Sequence, residues 1–211
     1  RLWANAALYG VVGARVMHSL SPALHNAAFR AEGIDAVYVP LEAAGFEDFE
    51  AFARAFDLRG ASVTAPFKTE ALAAAVSADD AARAIGAANT LTRTANGWAA
   101  ANTDAAGFLG PLEGVDLAGM SAAIIGRGGA ARAVTYALER AGARITHIGR
   151  GDLDRASEPW DLLVNATPVG TSPNASDSVI AGRPIHARRV YDLVYNPRRP
   201  GMLADAEAAA G

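Results

Sequence analysis

The chain's 19 basic side chains are 18 arginines and a single lysine, Lys68. On a solvated surface the two are nearly interchangeable, but a guanidinium stays charged at any accessible pH, whereas a lysine amine can release a proton and take it back. A lysine kept where every other cation is arginine is therefore a candidate acid–base group. A second candidate is Asp104. The segment Asn89 to Asp104 (NTLTRTANGWAAANTD) has two polar, β-prone arms around Asn96-Gly97. Asn-Gly is a strong hairpin signal, because a type I′ turn needs positive φ at both central residues. With those two residues at the turn, Asn89 is expected directly opposite Asp104 at the open end of the hairpin.

A third constellation is Gly126-Arg127-Gly128-Gly129-Ala130-Ala131, a G-x-G-x-x-A pattern preceded by the apolar run Ser121 to Ile125 and followed by an alanine-rich helix. In such a turn Gly126 permits the sharp bend and Gly128 lets a pyrophosphate approach the backbone. The helix expected from about Ala130 offers N–H groups and a positive dipole end to the phosphates. The next strand ends at Gly149-Arg150, where an NAD site places an acid against the ribose 2′-hydroxyl. Arg150 suits a 2′-phosphate instead, so NADP is expected over NAD, with nearby Asp152 leaving NAD open.

The elements that must hold these groups follow a regular order. Ala7 to Gly13 reads as a strand. Ser21-Pro22 starts a helix with Ser21 as N-cap, and that helix stops near Gly33. Ala36 to Leu41 is a strand, Glu47 to Phe56 a helix, and Gly60 to Thr64 a strand running into Pro66 and Lys68. After a boundary near 105 the pattern restarts, with a linking helix at 105–109 and strands at 121–125, 144–148, 161–165 and 190–194. The 130–141 helix lies between the first two of these, and at most a short helix fits between 152 and 160. The expectation is an α/β chain of two parallel-sheet domains.

Composition narrows the partners. Net charge is −3 with scattered charges, so no basic stripe marks a nucleic-acid backbone and no polybasic run marks a membrane. There is no cysteine, and the four histidines, His18, His25, His147 and His186, lack metal-ligand spacing, so no metal is assigned. No apolar run reaches the ~20 residues of a bilayer span. A cytoplasmic protein acting on small molecules, as a monomer or homodimer, is expected.

Seven motifs in order along nearly the whole chain resemble those of the shikimate dehydrogenases. They are HSLSP at 18–22 with His25-Asn26, SVTAPFK at 62–68, GAANTL at 86–91, NTD at 102–104 with Gly107, GRGGAARA at 126–133, NATPVG at 165–170 and DLVYNP at 192–197. The resemblance implies an N-terminal substrate domain (7–104), a Rossmann-type NADP domain (105–211) and a cleft between them. It implies that Ser19, Ser21, Thr64, Asn89 and Asp104 hold a shikimate-like ring acid, with Lys68 on the reacting hydroxyl and Tyr195 helping to seat the ring. Gly126, Arg127, Gly128, Gly129, Ala130 and Arg150 would hold the cofactor, with Asn165, Thr167 and Pro168 near its nicotinamide half. His18 and His25 are expected to be structural. The implied reaction is NADPH-dependent reduction of 3-dehydroshikimate, a step of aromatic amino acid biosynthesis. Two other readings remain, an NAD-dependent quinate/shikimate dehydrogenase and a non-catalytic NADP-binding regulatory relative.

Five positions depart from the family pattern. Ser62 replaces an asparagine, Arg127 a small residue, Gly149-Arg150-Gly151 an Asn-Arg-Thr, and Pro200 a threonine. The chain ends before a family segment that carries a substrate-contacting glutamine. It is therefore expected to be a C-terminally truncated piece of a longer polypeptide, one with dehydroquinate dehydratase ahead of Arg1 being a candidate.

Overall fold

A computed structural model describes residues 6–210. The chain divides into two compact units between Thr103 and Asp104.

The first unit carries a six-stranded sheet in the order β2-β1-β3-β5-β6-β4. Strands β1 (Ala7–Gly13), β2 (Ala36–Glu42) and β3 (Gly60–Val63) are mutually parallel, as the alternation with α1 (Ser21–Ala31) and α2 (Phe46–Ala55) leads one to expect. The sheet then departs from a purely parallel one. Strand β5 (Thr90–Thr94) runs antiparallel to both β3 and β6 (Gly97–Ala101), and β4 (Ala75–Ala78) closes the far edge parallel to β6. The short helices α3 (Lys68–Ala73) and α4 (Asp80–Ile85) flank β4. The core gathers Phe49, Leu58, Phe67, Leu91 and Trp98, with the Phe49 and Trp98 rings stacked at 5.8 Å.

Two sequence expectations fail here. Ser21 is not the N-cap of α1. It is the first helical residue, after Leu20, whose φ −81 and ψ −10 are already helical. The Ser19 hydroxyl, two residues earlier, accepts the Ser21 N–H instead (3.2 Å). In the hairpin, Thr90 pairs with Ala101 and Thr94 with Gly97, so the turn residues are Ala95 and Asn96, neither with positive φ. Gly97 opens strand β6 at φ +134. A Cβ there would lie 2.9 Å from Val76 Cγ1 of β4, so the glycine serves strand packing and not the turn. The register is thereby displaced by two residues, so Asn89 is not directly opposite Asp104 in the hairpin, and its side chain bonds Thr103.

The second unit opens with α5 (Asp104–Leu109) and has a four-stranded, wholly parallel sheet in the order β10-β9-β7-β8. Its strands are β7 (Ser121–Ile125), β8 (Arg144–Ile148), β9 (Leu162–Asn165) and β10 (Val190–Asp192), the last shorter than expected. Every residue of β9 is buried, as a central parallel strand covered on both faces requires. Helix α6 (Gly129–Arg140) follows β7, a 3-10 segment (Arg150–Ser157) links β8 to β9, and α7 (Gly201–Ala210) comes last. Ile125, Ile148, Leu163, Ile180 and Met202 form its core. Among the described residues no helix is long and apolar enough to cross a membrane, and no cluster of His, Asp or Glu is arranged to hold a metal ion.

Candidate functional site

In the first unit the functional candidates collect where the parallel strands β1 and β3 end, the edge at which such sheets present ligands. The loop after β1 is tied to the loop after β3 by the Ala14 N–H donating to Ala65 O (3.2 Å). Glu42, at the end of β2, fixes the same loop by accepting the N–H groups of Val16 (2.9 Å) and Met17 (3.2 Å) through Oε1. Ser19 and Ser21, both half-buried, sit on that loop and at the start of α1. Asn26 locks α1 to β2, exchanging hydrogen bonds with the Tyr38 backbone (2.8 and 2.9 Å). His25 stacks on the buried Tyr38 ring at 4.2 Å, and His18 is exposed.

Thr64 follows β3 directly, and Lys68 is the first residue of α3, half-buried. Two backbone bonds bring Asn89 to this point. The Val63 N–H donates to Asn89 O (2.7 Å) and the Ala88 N–H to Lys68 O (2.8 Å). The Asn89 side chain in turn donates to Thr103 Oγ1 (2.9 Å) and accepts the Thr103 N–H (3.0 Å). Thr64, Lys68 and Asn89 thus share one corner, and Asp104 is the residue after Thr103. Ser62, in β3, accepts the Tyr38 hydroxyl (2.7 Å); burial pushes that phenol above its ordinary range despite the bond.

In the second unit β7 delivers Gly126 at φ +122, a conformation L side chains rarely adopt, with its would-be Cβ 3.0 Å from Ala166 O. Gly128 stands at the N-cap of α6 with nothing within 4 Å of its Cβ position. The ladder of α6 begins with Arg132 N–H to Gly128 O, so the N–H groups of Gly129, Ala130 and Ala131 precede it. No carboxylate occupies the first turn. A bent turn, an open glycine and a helix start without an acid fit the pyrophosphate of a dinucleotide. Arg127 lies within the turn and Arg150 opens the 3-10 segment after the neighbouring strand β8, both exposed.

Asn165 ends β9 fully buried, and its side chain is spent inside the protein. Its Oδ1 accepts from Thr167 N (3.0 Å) and Thr167 Oγ1 (2.7 Å), and its Nδ2 donates to Asp192 Oδ1 (3.0 Å). It shapes the loop on which Thr167 is half-buried and Pro168 exposed. Asp192 Oδ1 also accepts the Val194 N–H (2.9 Å), while Oδ2 is buried without a partner, and burial holds this carboxyl above the usual range. Tyr195, three residues on, is 59% exposed. Sequence reasoning passed over Glu42, which works through a loop that local pattern does not reveal, and gave no role to Thr103 although it lay within the NTD motif at 102–104. Asp192 lay within a quoted motif but was given no role.

These features define an α/β protein with a polar corner at the end of one sheet and a dinucleotide-type turn at the end of another. The family model for the shikimate dehydrogenase substrate binding domain matches residues 11–91. The NADP(+) shikimate dehydrogenase of Syntrophobacter fumaroxidans is 40% identical over 230 residues, which cover 96% of this chain and 79% of that protein. The enzyme of the same name from Microcystis aeruginosa is 37% identical, covering 93% of this chain and 81% of that one. The Thermus thermophilus shikimate 5-dehydrogenase, solved with NADP(H) and shikimate, superposes with a TM-score of 0.82 at 32% identity, covering 96% of this chain and 84% of that one. The chain belongs to the shikimate dehydrogenase family.

Proposed function

We propose that the protein catalyses the reversible reduction of 3-dehydroshikimate to shikimate with NADPH, a step of aromatic amino acid biosynthesis. The observation that carries this reading is the similarity to NADP(+) shikimate dehydrogenases at 37–40% identity over 93–96% of this chain and 79–81% of those proteins. In support, its only lysine lies at the strand edge beside Thr64 and Asn89.

The first unit takes the substrate and the second the cofactor, the arrangement implied by the motifs of each. Ser19, Ser21, Thr64, Asn89 and Tyr195 hold the hydroxyls and carboxylate of the ring acid. NADPH, when bound, supplies the hydride that reduces the ring ketone. Lys68 gives a proton to the ketone oxygen as the carbonyl is reduced and takes it back in the reverse direction. Asp104 orients the lysine and the reacting hydroxyl and balances charge. Gly126, Arg127, Gly128, Gly129, Ala130 and Arg150 bind the dinucleotide, and Asn165, Thr167 and Pro168 shape its nicotinamide side. The proposal includes a cytoplasmic setting and a monomer or homodimer.

The test is the fall in NADPH absorbance when 3-dehydroshikimate is added to the protein. Prompt oxidation of NADPH and little of NADH is expected. No oxidation by folded protein that still binds NADPH would move the assignment to another ring acid or to a regulatory module.

A further inference from the structure

The backbone of the turn at Gly126 and the helix start after it serve the pyrophosphate, which NAD and NADP share, so discrimination between them must come from side chains and not from the backbone of the turn. Arg127 is placed for this. Its Nη2 lies 3.4 Å, and its Cζ 3.8 Å, from the point a Cβ would occupy on Gly149, at the end of β8. Gly149 has φ −93 and ψ 176, an extended conformation open to any residue. Its missing side chain therefore provides space, and the guanidinium lies against it. Asp152 Oδ2 faces the same point at 3.8 Å. A carboxylate there suits a ribose hydroxyl and opposes a phosphate, and a guanidinium on the other side offsets it while presenting a planar pair of donors to phosphate oxygens. Arg127, Ala131, Arg132 and His147 line a cavity of about 350 Å³, with His147 Nε2 held 3.3 Å from Thr135 Oγ1 of α6.

Resting on the reading that the second unit binds NADP, we propose that Arg127, lying in the space left by Gly149, is the residue that selects the ribose 2′-phosphate. Arg132 and His147 form the polar wall of that pocket. Arg150 then assists from the exposed start of the 3-10 segment and is not sufficient by itself.

Calorimetric titration of the full chain with adenosine 2′,5′-bisphosphate and with AMP separates the possibilities without requiring turnover. The wild type should bind the bisphosphate at least about tenfold tighter than AMP. Arg127→Ala should weaken the bisphosphate by roughly ten- to a hundred-fold, the value of a charged hydrogen-bond pair, and leave AMP within about twofold. Gly149→Val, which crowds the guanidinium without removing its charge, should shift the bisphosphate in the same direction. An Arg127→Ala variant that keeps the wild-type preference, or loses both ligands equally, overturns the role of Arg127 while the NADP reading stands. A wild type with no preference for the bisphosphate overturns the NADP reading and this proposal with it.

Discussion

The end of β3 and the end of β7 are both exits from parallel strands, yet they are equipped in opposite ways. At the first, the candidate groups are side chains: Thr64, Lys68 and Asn89, gathered by backbone bonds among Val63, Lys68, Ala88 and Asn89. At the second they are backbone N–H groups, and the side chains are missing at Gly126, Gly128 and Gly129. The proposed ligand chemistry accounts for the contrast. A ring acid with distinct hydroxyls and a ketone needs individually placed donors and a group that can move a proton, whereas a pyrophosphate needs close approach to aligned amides. Truncation should therefore be the damaging change at β3, and addition of a side chain the damaging change at β7.

The largest effect tests the first half of that contrast. Lys68→Ala should lower kcat by about 10²- to 10⁴-fold, the range of general acid–base catalysis, with NADPH binding by fluorescence titration unchanged within about twofold. Turnover that survives the substitution would take Lys68 out of the proton path. Lys68→Arg should not rescue, since a guanidinium does not release the proton.

The second half is tested at Gly126. Gly126→Val places a branched side chain at φ +122 with its Cβ about 3 Å from Ala166 O. Strain of that kind costs on the order of 1–3 kcal/mol. The variant should lose NADPH binding by more than about tenfold and melt at lower temperature, while Gly128→Ala, with open space around it, should lose affinity without losing stability. Equal behaviour of the two glycines in both assays would erase the distinction between a turn-forming and a ligand-approaching position.

The same contrast explains what could be read from the sequence. A glycine turn between a strand and a helix is local, and β7, the Gly126–Ala130 run and α6 fall within a residue of their expected places. Strands β1, β2 and β3 and the all-parallel second sheet were legible for the same reason. The side-chain corner was less so, because it depends on β4, whose four residues AVSA carry no periodic signal. Without β4 next to it, Gly97 reads as a turn residue; with Val76 beside it, it is a strand residue, and the hairpin register moves by two. Two departures from the family pattern, a large residue at 127 and none at 149, looked unrelated along the chain and meet in space.

Gly97 makes a smaller test confined to the first unit. Gly97→Ala should destabilise by roughly 1–2 kcal/mol through its positive φ and the close Val76 methyl. The urea midpoint should fall accordingly, and NADPH binding should not change. Val76→Ala in the same background should recover the steric part and leave the conformational part, so a complete recovery would show that φ at residue 97 is unimportant.

The smallest effect belongs to Asp192, in the second unit, where a side chain is used for architecture. Burial raises its carboxyl above the ordinary range, outweighing the bonds from Val194 N–H and Asn165 that favour the charged form. The neutral acid is thus the form the fold prefers. Its contribution is fully present below the unfolded carboxylate value of about 4 and is lost as pH rises through the raised folded value. Asp192→Asn keeps an Oδ1 to accept both donors and carries no charge at any pH. The variant should match or exceed wild-type stability at neutral pH, with the advantage shrinking as pH falls toward 4, measured as urea midpoints across that range. A variant uniformly less stable at every pH would mean that a buried amide NH2 is not tolerated in place of the unpartnered Oδ2, and that the β9–β10 end, like the corner beside β3, depends on one specific side-chain group.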